Sequence, residues 1–346
     1  MEIKKAVETM QKYRQEWKLQ RKNFVLPISL LVLFLTIAVT LWLTMDNIFY
    51  LFNFSYIGIS IALGTLLTGI LPKRLKQRGR LVAQFLIGSY MIFFLGVYGK
   101  ENMQIEGFFF YLFTGVFMGA TIHYLVAKIG GTLIFGRGWC GYACWTVALL
   151  DFLPWKQPKE GRVRYLGWFR YLHFFVSLGL VLYVIFILKS SPELASIEEF
   201  YWFLIGNILY YIIGFLLAFF LKDNRAVCKY FCPIPVLQKI GSRFSILKIR
   251  INEDKCVECF ACERVCPMDI KLLDYMYEGK RVLSTECISC TACVQACPTN
   301  TIDYSPGFDG GIVEYLRHMG EPIATKKSRK ANTRAITKEG SIPYKG

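Results

Sequence analysis

The sequence is poor in acidic residues and has almost no histidine. Its 346 residues include 25 Asp and Glu against 41 Lys and Arg, and only three His. The net charge of +16 is compatible with nucleic-acid binding, but the basic residues stand in short clusters between apolar runs. That arrangement is typical of the cytoplasmic loops of membrane proteins, so we expect no nucleic-acid partner.

Charge is also missing from several long stretches, and 54% of the residues are hydrophobic, too many for an ordinary soluble protein. A run of about twenty apolar residues is long enough to cross a bilayer as a helix. No acidic residue is evident in the interior of these stretches, which argues against an ion-coupled pump. Six runs predict an α-helical polytopic membrane domain, at about 24–44, 48–71, 81–98, 107–127, 166–188 and 199–221.

The loops between these runs differ in basic charge. Lys and Arg number seven, five and six in the three predicted inside segments, against none, one and one in the predicted outside loops. Because positive charge concentrates on the cytoplasmic side, we expect a bacterial inner-membrane protein with both termini in the cytoplasm. Residues 1–23 are too long and too mixed in composition for a cleaved signal peptide, and they predict a short cytoplasmic helix.

Cysteine is concentrated in a repeat. CVECFACERVCP (256–267) and CISCTACVQACP (287–298) share the spacing C-x2-C-x2-C-x3-C-P. In bacterial ferredoxins three close cysteines bind one [4Fe–4S] cluster and the fourth ligates the other cluster. Zinc and disulfides are the alternatives, but zinc sites usually pair two separate C-x2-C units and disulfides belong to oxidising compartments. The predicted cluster ligands are Cys256, Cys259, Cys262 and Cys297 in one set, and Cys287, Cys290, Cys293 and Cys266 in the other.

The remaining cysteines form two C-x3-C pairs, Cys140 with Cys144 and Cys228 with Cys232. On a helix this spacing places both thiols on one face, and the predicted topology places both pairs at the cytoplasmic membrane surface. Four thiolates brought together there would suit a third iron–sulfur cluster. A thiol/disulfide or copper relay and buried structural cysteines are the alternatives, and iron content separates them.

These motifs resemble those of the NapH/NosR/CcoG-type membrane-bound ferredoxin proteins. The matching segments are GRGWCGYAC at 136–144, CKYFCP at 228–233 and the two ferredoxin runs. The resemblance implies a subunit of a quinol-oxidising or quinone-reducing respiratory or maturation system. Two features depart from the family pattern: Trp145 rather than proline follows Cys144, and no outside loop is long enough for the flavin-carrying domain of the NosR type.

Two of the three histidines, His123 and His173, lie in the fourth and fifth apolar runs. Each could contact a quinone, and the alternatives are hydrogen-bonded packing histidines and ligands of a b-type haem. Arg137 stands near Cys140 and Arg170 near His173. Arginines at a helix mouth usually extend towards the membrane surface, and we expect that of both.

The expected domains are a cytoplasmic helix (1–23), a six-span membrane domain (24–222), a connector with the second C-x3-C pair (223–247), an α+β ferredoxin domain with two [4Fe–4S] clusters (248–304) and a basic extended tail (305–346). We predict an electron-transfer component of an oxidoreductase complex, which relays electrons between a cytoplasmic or quinone donor or acceptor and a membrane-associated redox partner protein. The alternative is an assembly factor that supplies electrons to reduce a metal or a disulfide in a respiratory metalloenzyme.

Overall fold

A computed structural model describes residues 20–73, 75–116, 119–156, 160–189, 197–309 and 313–322. These residues form two parts that contact each other, a bundle of long apolar helices and a small α+β domain around the cysteine repeat. The predicted N-terminal helix and most of the predicted tail lie outside the described residues.

The bundle supplies most of the helical residues. In chain order its helices are α1 (Lys22–Met45), α2 (Ile48–Ile70), α3 (Lys76–Ser89), α4 (Ile105–Thr114), α5 (Gly119–Ile122), α6 (Thr132–Phe135), α7 (Gly138–Tyr142), α8 (Trp145–Leu150), α9 (Phe169–Phe186) and α10 (Ile197–Leu221). π-Helical turns extend α3 to Tyr98 and α5 to Gly130, and a 3-10 turn at Leu166–Trp168 precedes α9. Five helices, namely α1, α2, extended α3, α9 and α10, are long and apolar enough to cross a membrane.

The fourth predicted span, 107–127, differs from the expectation. It is not one straight helix, because α4 ends at Thr114 and the helical stretch Gly119–Phe135 is inclined to α4 by 106°. Gly115 accounts for the end of α4, since its φ of 74° lies in the left-handed region that terminates helices. The described chain therefore has five straight candidate spans and one bent segment.

Helices α1 and α2 form the tight hairpin expected from the short gap between the first two apolar runs. Only two residues connect them, and Asp46 takes a left-handed φ of 47°. The Asn47 side chain caps α2 by accepting a 2.9 Å hydrogen bond from the amide of Phe49. Helix α2 then packs on α3, where a Cβ on Gly64 would overlap the side chain of Ala83.

Two connector helices, α11 (Ala226–Tyr230) and α12 (Ile234–Arg243), lead into the α+β domain. Its elements are β1 (Leu247–Ile251), α13 (Ala261–Arg264), α14 (Leu272–Tyr277), α15 (Ala292–Ala296) and β2 (Ile302–Pro306). The two strands pair antiparallel, with Leu247 opposite Pro306 and Ile251 opposite Ile302. The predicted domain end at residue 304 therefore falls inside β2.

The tail was expected to extend away from the protein, but residues 313–322 pack against it. The amide of Lys271 donates to the carbonyl of Tyr315 at 2.9 Å, and the amide of Arg317 donates to the carbonyl of Asp269 at 2.8 Å. On the other side, the amide of Arg162 donates to the carbonyl of Arg317 at 2.9 Å. This segment joins the α+β domain to the loop that precedes α9.

Candidate metal centres

All twelve cysteines lie in the described part of the chain, and each is a free thiol. They line three cavities, four cysteines to each. Site 1 contains Cys256, Cys259, Cys262 and Cys297; site 2 contains Cys266, Cys287, Cys290 and Cys293; site 3 contains Cys140, Cys144, Cys228 and Cys232. The structure thus brings together each set of four that the sequence predicted.

The loops that carry sites 1 and 2 repeat one backbone conformation. Glu258 and Phe260 in the first motif have φ values of 51° and 57°, and Ser289 and Thr291 at the equivalent positions of the second have 51° and 58°. A left-handed φ is uncommon for residues other than glycine. Its repetition shows that the cysteine spacing encodes a local loop shape in both motifs.

Site 1 is the most exposed of the three, because Cys259 is exposed to solvent. Burial opposes ionisation of the Cys297 thiol, but hydrogen bonds with Thr301 and Thr299 outweigh it and lower the pKa of Cys297 to about 7. Thiolate is the form of cysteine that binds metals. Cys297 is therefore prepared for ligation at neutral pH.

Site 2 is more enclosed. Burial raises the pKa of Cys266 and raises that of Cys293 still more clearly above its ordinary value, with the neighbouring thiols adding to the effect. A buried thiol without a metal resists ionisation, so metal binding at this site must release protons.

Site 3 is built from short helices and the turns that follow them. Cys140 lies in α7 and Cys144 is the N-cap of α8, while Cys228 lies in α11 and Cys232 follows that helix. The C-x3-C spacing suggested that each pair lies on one helix, but neither pair does. In each pair the chain leaves the helix before the second cysteine, which turns both thiols towards the shared cavity.

The cavity of site 3 lies deep among the helices. It is also lined by Asn207 and Tyr210, near the middle of α10. Tyr210 precedes the end of α10 at Leu221 by about 16 Å of helix. Part of the wall of site 3 is therefore formed well inside the apolar helix α10.

Unpartnered hydrogen-bond donors stand in the walls of site 3. The Nε and Nη2 groups of Arg137, the Nε1 group of Trp139 and the hydroxyl of Tyr124 are buried and have no hydrogen-bond partner among the described residues. Lys128 adds a buried amino group, with its Nζ 3.6 Å from the centroid of the Tyr124 ring. Buried donors are costly unless an acceptor meets them, so an anionic occupant rich in acceptors fits this cavity.

The arrangement of the donors favours clusters over single ions. Within the described ranges, no three His, Cys, Asp or Glu side chains converge in a way that could hold one metal ion. Zinc–sulfur bonds of about 2.3 Å would draw four thiolates to a single point. A [4Fe–4S] cluster is instead held by four thiolates around its periphery, which is what a cavity lined by four thiols can provide.

Sites 2 and 3 adjoin through their backbones. Gly141 lies between Cys140 and Cys144, and a Cβ on it would overlap the carbonyl oxygen of Ile288, which lies between Cys287 and Cys290. The hydroxyl of Ser289 also donates to the carbonyl of Phe135 at 3.0 Å. The loop of one site therefore rests directly on the loop of the other.

Sequence reasoning missed Glu286, which directly precedes Cys287. Its carboxylate is 2% exposed. Burial opposes its charge, but the surrounding cations hold the pKa of Glu286 well below its usual range. The only signal in the sequence was an acidic residue next to a cysteine motif in a chain rich in bases. Four cations form this Glu286 ion-pair network: Arg137 (2.8 Å) and Arg162 (3.1 Å) at Oε2, and Arg170 (2.8 Å) and Lys239 (2.7 Å) at Oε1.

The network corrects the expectation that Arg137 and Arg170 extend to the membrane surface. Both are buried, with residue exposures of 0% and 2%. Their guanidinium groups are enclosed because a carboxylate of the α+β domain reaches them, which local sequence does not reveal.

A second buried network holds the Cys228 segment against the α+β domain. The Nζ of Lys229 lies 2.6 Å from Asp223 and 2.5 Å from Asp269, and Asp269 also accepts a 2.7 Å bond from Arg317. Burial opposes the charge on Lys229, but Asp223 and Asp269 hold its pKa above the ordinary value. Both C-x3-C segments are thus tied to the domain that carries sites 1 and 2.

Neither histidine lines the cavity of site 3, but each contacts a residue that does. Nδ1 of His173 lies 3.0 Å from the carbonyl of Phe231, and its Nε2 lies 3.9 Å from the carboxylate of Glu106. His123 meets Trp139 edge to face, with ring centroids 4.5 Å apart, and its Nε2 has no hydrogen-bond partner in the described part of the chain. Of the two, His173 is the one that lies beside a carboxylate.

Comparison with known protein families agrees with this division. Residues 248–298, which carry sites 1 and 2, match the 4Fe-4S dicluster domain family. Residues 117–162 and 207–252, which carry one C-x3-C pair each, match the 4Fe-4S binding domain family. The predicted iron–sulfur character of the protein is thereby confirmed, and it supports a role in electron transfer.

Two curated proteins of Methanocaldococcus jannaschii are similar to the chain. Uncharacterized protein MJ0749 is 30% identical over 177 residues, 50% of this chain and 68% of that protein. Uncharacterized protein MJ0750 is 31% identical over 170 residues, 45% of this chain and 69% of that protein. The chain belongs to the family of these two proteins. No solved structure matches this member of the MJ0749 and MJ0750 family. The narrower NapH/NosR/CcoG assignment stays a prediction.

Proposed function

We propose that the chain is an electron-transfer subunit of the bacterial cytoplasmic membrane with three [4Fe–4S] clusters, one at each four-cysteine site. Clusters of this type store and release single electrons over a wide range of potentials. The observation that carries the proposal is the contact between Gly141 and Ile288, which places site 3 among the helices directly against site 2 in the ferredoxin domain.

The three sites form a series. Cys266 lines site 2 although it belongs to the first motif, and Cys297 lines site 1 although it belongs to the second, so the two motifs interlock. Site 1 is open at Cys259, where a cytoplasmic redox protein could approach. Site 3, at the other end, lies among the helices and suits exchange with a partner in the membrane.

Contacts near the start of α3 support the proposed orientation. Lys73 donates to the Asn300 side chain at 2.7 Å, and Gln77 donates to the Gln295 side chain at 2.9 Å. The ferredoxin domain therefore sits on the same side of the bundle as the basic segment 72–80, which the positive-inside rule assigns to the cytoplasm.

For the membrane end we propose a quinone that exchanges electrons near Glu106 and His173. A quinol releases protons with its electrons, and proton acceptors are present there: the Glu106 carboxylate lines site 3 and the His173 imidazole lies 3.9 Å from it. Ser177 donates a 2.5 Å hydrogen bond to the Glu106 carboxylate and holds it towards His173. In the Glu106→Gln variant, quinol should no longer reduce the protein, while dithionite should still reduce every cluster. Equal reduction by quinol in both proteins would contradict a quinone at this position.

The number of clusters is tested by iron and acid-labile sulfide analysis of the full chain, purified in detergent and reconstituted without oxygen. We expect about twelve irons per chain in the unsubstituted protein and about eight in Cys228→Ser. The matched variant Cys290→Ser, in site 2, should also lose about four. About eight irons in the unsubstituted protein would rule out a cluster at site 3 and leave only the ferredoxin pair.

A further inference from the structure

We propose that Arg137 is a positioning residue that links site 2 to site 3 and raises the reduction potential of site 3. It would do so by donating hydrogen bonds to sulfur atoms at that site. The inference rests on the proposed third cluster and adds to it a residue that sets how readily electrons pass between the two sites.

The first observation is the double contact of one side chain. Arg137 stands directly before α7, which carries Cys140, and it is fully buried. Its Nη1 lies 2.8 Å from the carboxylate of Glu286, the residue before Cys287 of site 2. Arg137 also lines the cavity of site 3. It therefore occupies the boundary between the two sites.

The second observation is the unused hydrogen-bonding capacity. Nε and Nη2 of Arg137 have no partner among the described residues, although both atoms are buried. Arg162 contacts the same carboxylate, but its Nε donates to the carbonyl of Met268 at 3.2 Å and its side chain does not line site 3. Among the four cations around Glu286, only Arg137 lines this cavity.

The consequence is electrostatic. Hydrogen bonds to cluster sulfur and nearby positive charge both favour the reduced, more negative state, which raises the potential. The planar guanidinium holds its donors in a fixed fork, so Nη1 can bind Glu286 while Nε and Nη2, on another edge, stay available to site 3. A lysine keeps the charge and can reach Glu286, but it lacks that second set of donors.

The test is a redox titration of the full chain followed by EPR, with Arg137→Lys compared with the unsubstituted protein. We expect the midpoint potential of site 3 to fall by at least about 59 mV, a tenfold change in a one-electron equilibrium. The midpoint of site 2 should stay unchanged. The control is Arg162→Lys, which changes the same ion-pair network but should leave the site 3 midpoint in place.

The outcomes separate this inference from the proposed function. About eight irons per unsubstituted chain would remove the third cluster itself. Twelve irons with an unchanged site 3 midpoint in Arg137→Lys would overturn the role of Arg137 alone, and so would an equal fall in Arg162→Lys. If Arg137→Lys does not accumulate, Glu286→Gln is the second variant. In it the midpoint potential of site 3 should shift in the opposite direction and rise, because a nearby negative charge is lost. An unchanged or lower value there would also overturn the inference.

Discussion

The ferredoxin sites and site 3 use equal numbers of thiols but are built in different ways. Sites 1 and 2 come from one stretch, 256–297, whose loops are shaped locally by repeated left-handed residues. Site 3 takes its pairs from segments separated by α9 and α10, and two buried ion-pair networks hold those segments against the ferredoxin domain. A set of four cysteine thiols can therefore be brought together either by local sequence spacing or by long-range packing.

The largest expected difference between the two regions is their response to iron removal. The cavities of sites 1 and 2 are lined by residues of the hydrophobic core of a domain with few secondary-structure elements, so removing iron should unfold that domain. The long helices bury their backbone hydrogen bonds internally and should persist. Limited proteolysis after chelation should cut within 248–309 and spare the bundle, while helical circular dichroism falls only slightly. Protease resistance of 248–309 in the iron-free protein would contradict this dependence.

The next effect concerns the contact between the regions. Glu286→Ala leaves three buried arginines and the partly exposed Lys239 without their carboxylate, and loss of one partner of a buried pair costs about 3–5 kcal/mol. Thermal unfolding in detergent should show this loss. The matched control is Glu278→Ala, which breaks an exposed pair with Lys280 at 2.8 Å and should cost less than about 1 kcal/mol. Similar losses in both variants would mean that the buried network does not hold the two regions together.

A smaller effect is expected where the loops of sites 2 and 3 meet. In Gly141→Ala the new Cβ would overlap the carbonyl of Ile288, and such overpacking costs about 1–3 kcal/mol. Electron exchange between the two sites should slow as their backbones move apart. Gly179→Ala is the control, because no atom lies within 4 Å of its added Cβ and alanine favours a helix. Equal stability and equal exchange rates in the two variants would show that this close approach is dispensable.

The smallest expected effect is that of pH on the Glu286 network. The folded-state pKa of Glu286 is depressed, so its contribution is fully present above the unfolded pKa and is lost only as pH falls through the folded value. The difference in unfolding temperature between the unsubstituted protein and Glu286→Gln should therefore stay constant between about pH 5.5 and pH 8. A difference that already shrinks between about pH 7 and pH 6 would indicate a carboxyl with a raised pKa instead.

Several elements could be predicted from sequence because they depend on neighbouring residues. Five of six apolar runs are long helices, and the cysteine repeat lies in a small α+β domain. The fourth run misled the prediction because hydropathy does not register a left-handed glycine such as Gly115 within an apolar stretch. The C-x3-C pairs misled it in another way, since i, i+4 spacing suggests one helix although each helix ends before its second cysteine.

By itself, the sequence determined how eight cysteines group into two ferredoxin sets, where the long helices run and which loops carry positive charge. These features follow from spacing and composition over a few residues. Only the tertiary structure decided that the two C-x3-C pairs share a cavity deep among the helices and that this cavity adjoins site 2. It also decided the partners of Glu286, because Arg137 lies 149 positions away and meets it only after the chain has folded. Local periodicity cannot report a contact made across that distance.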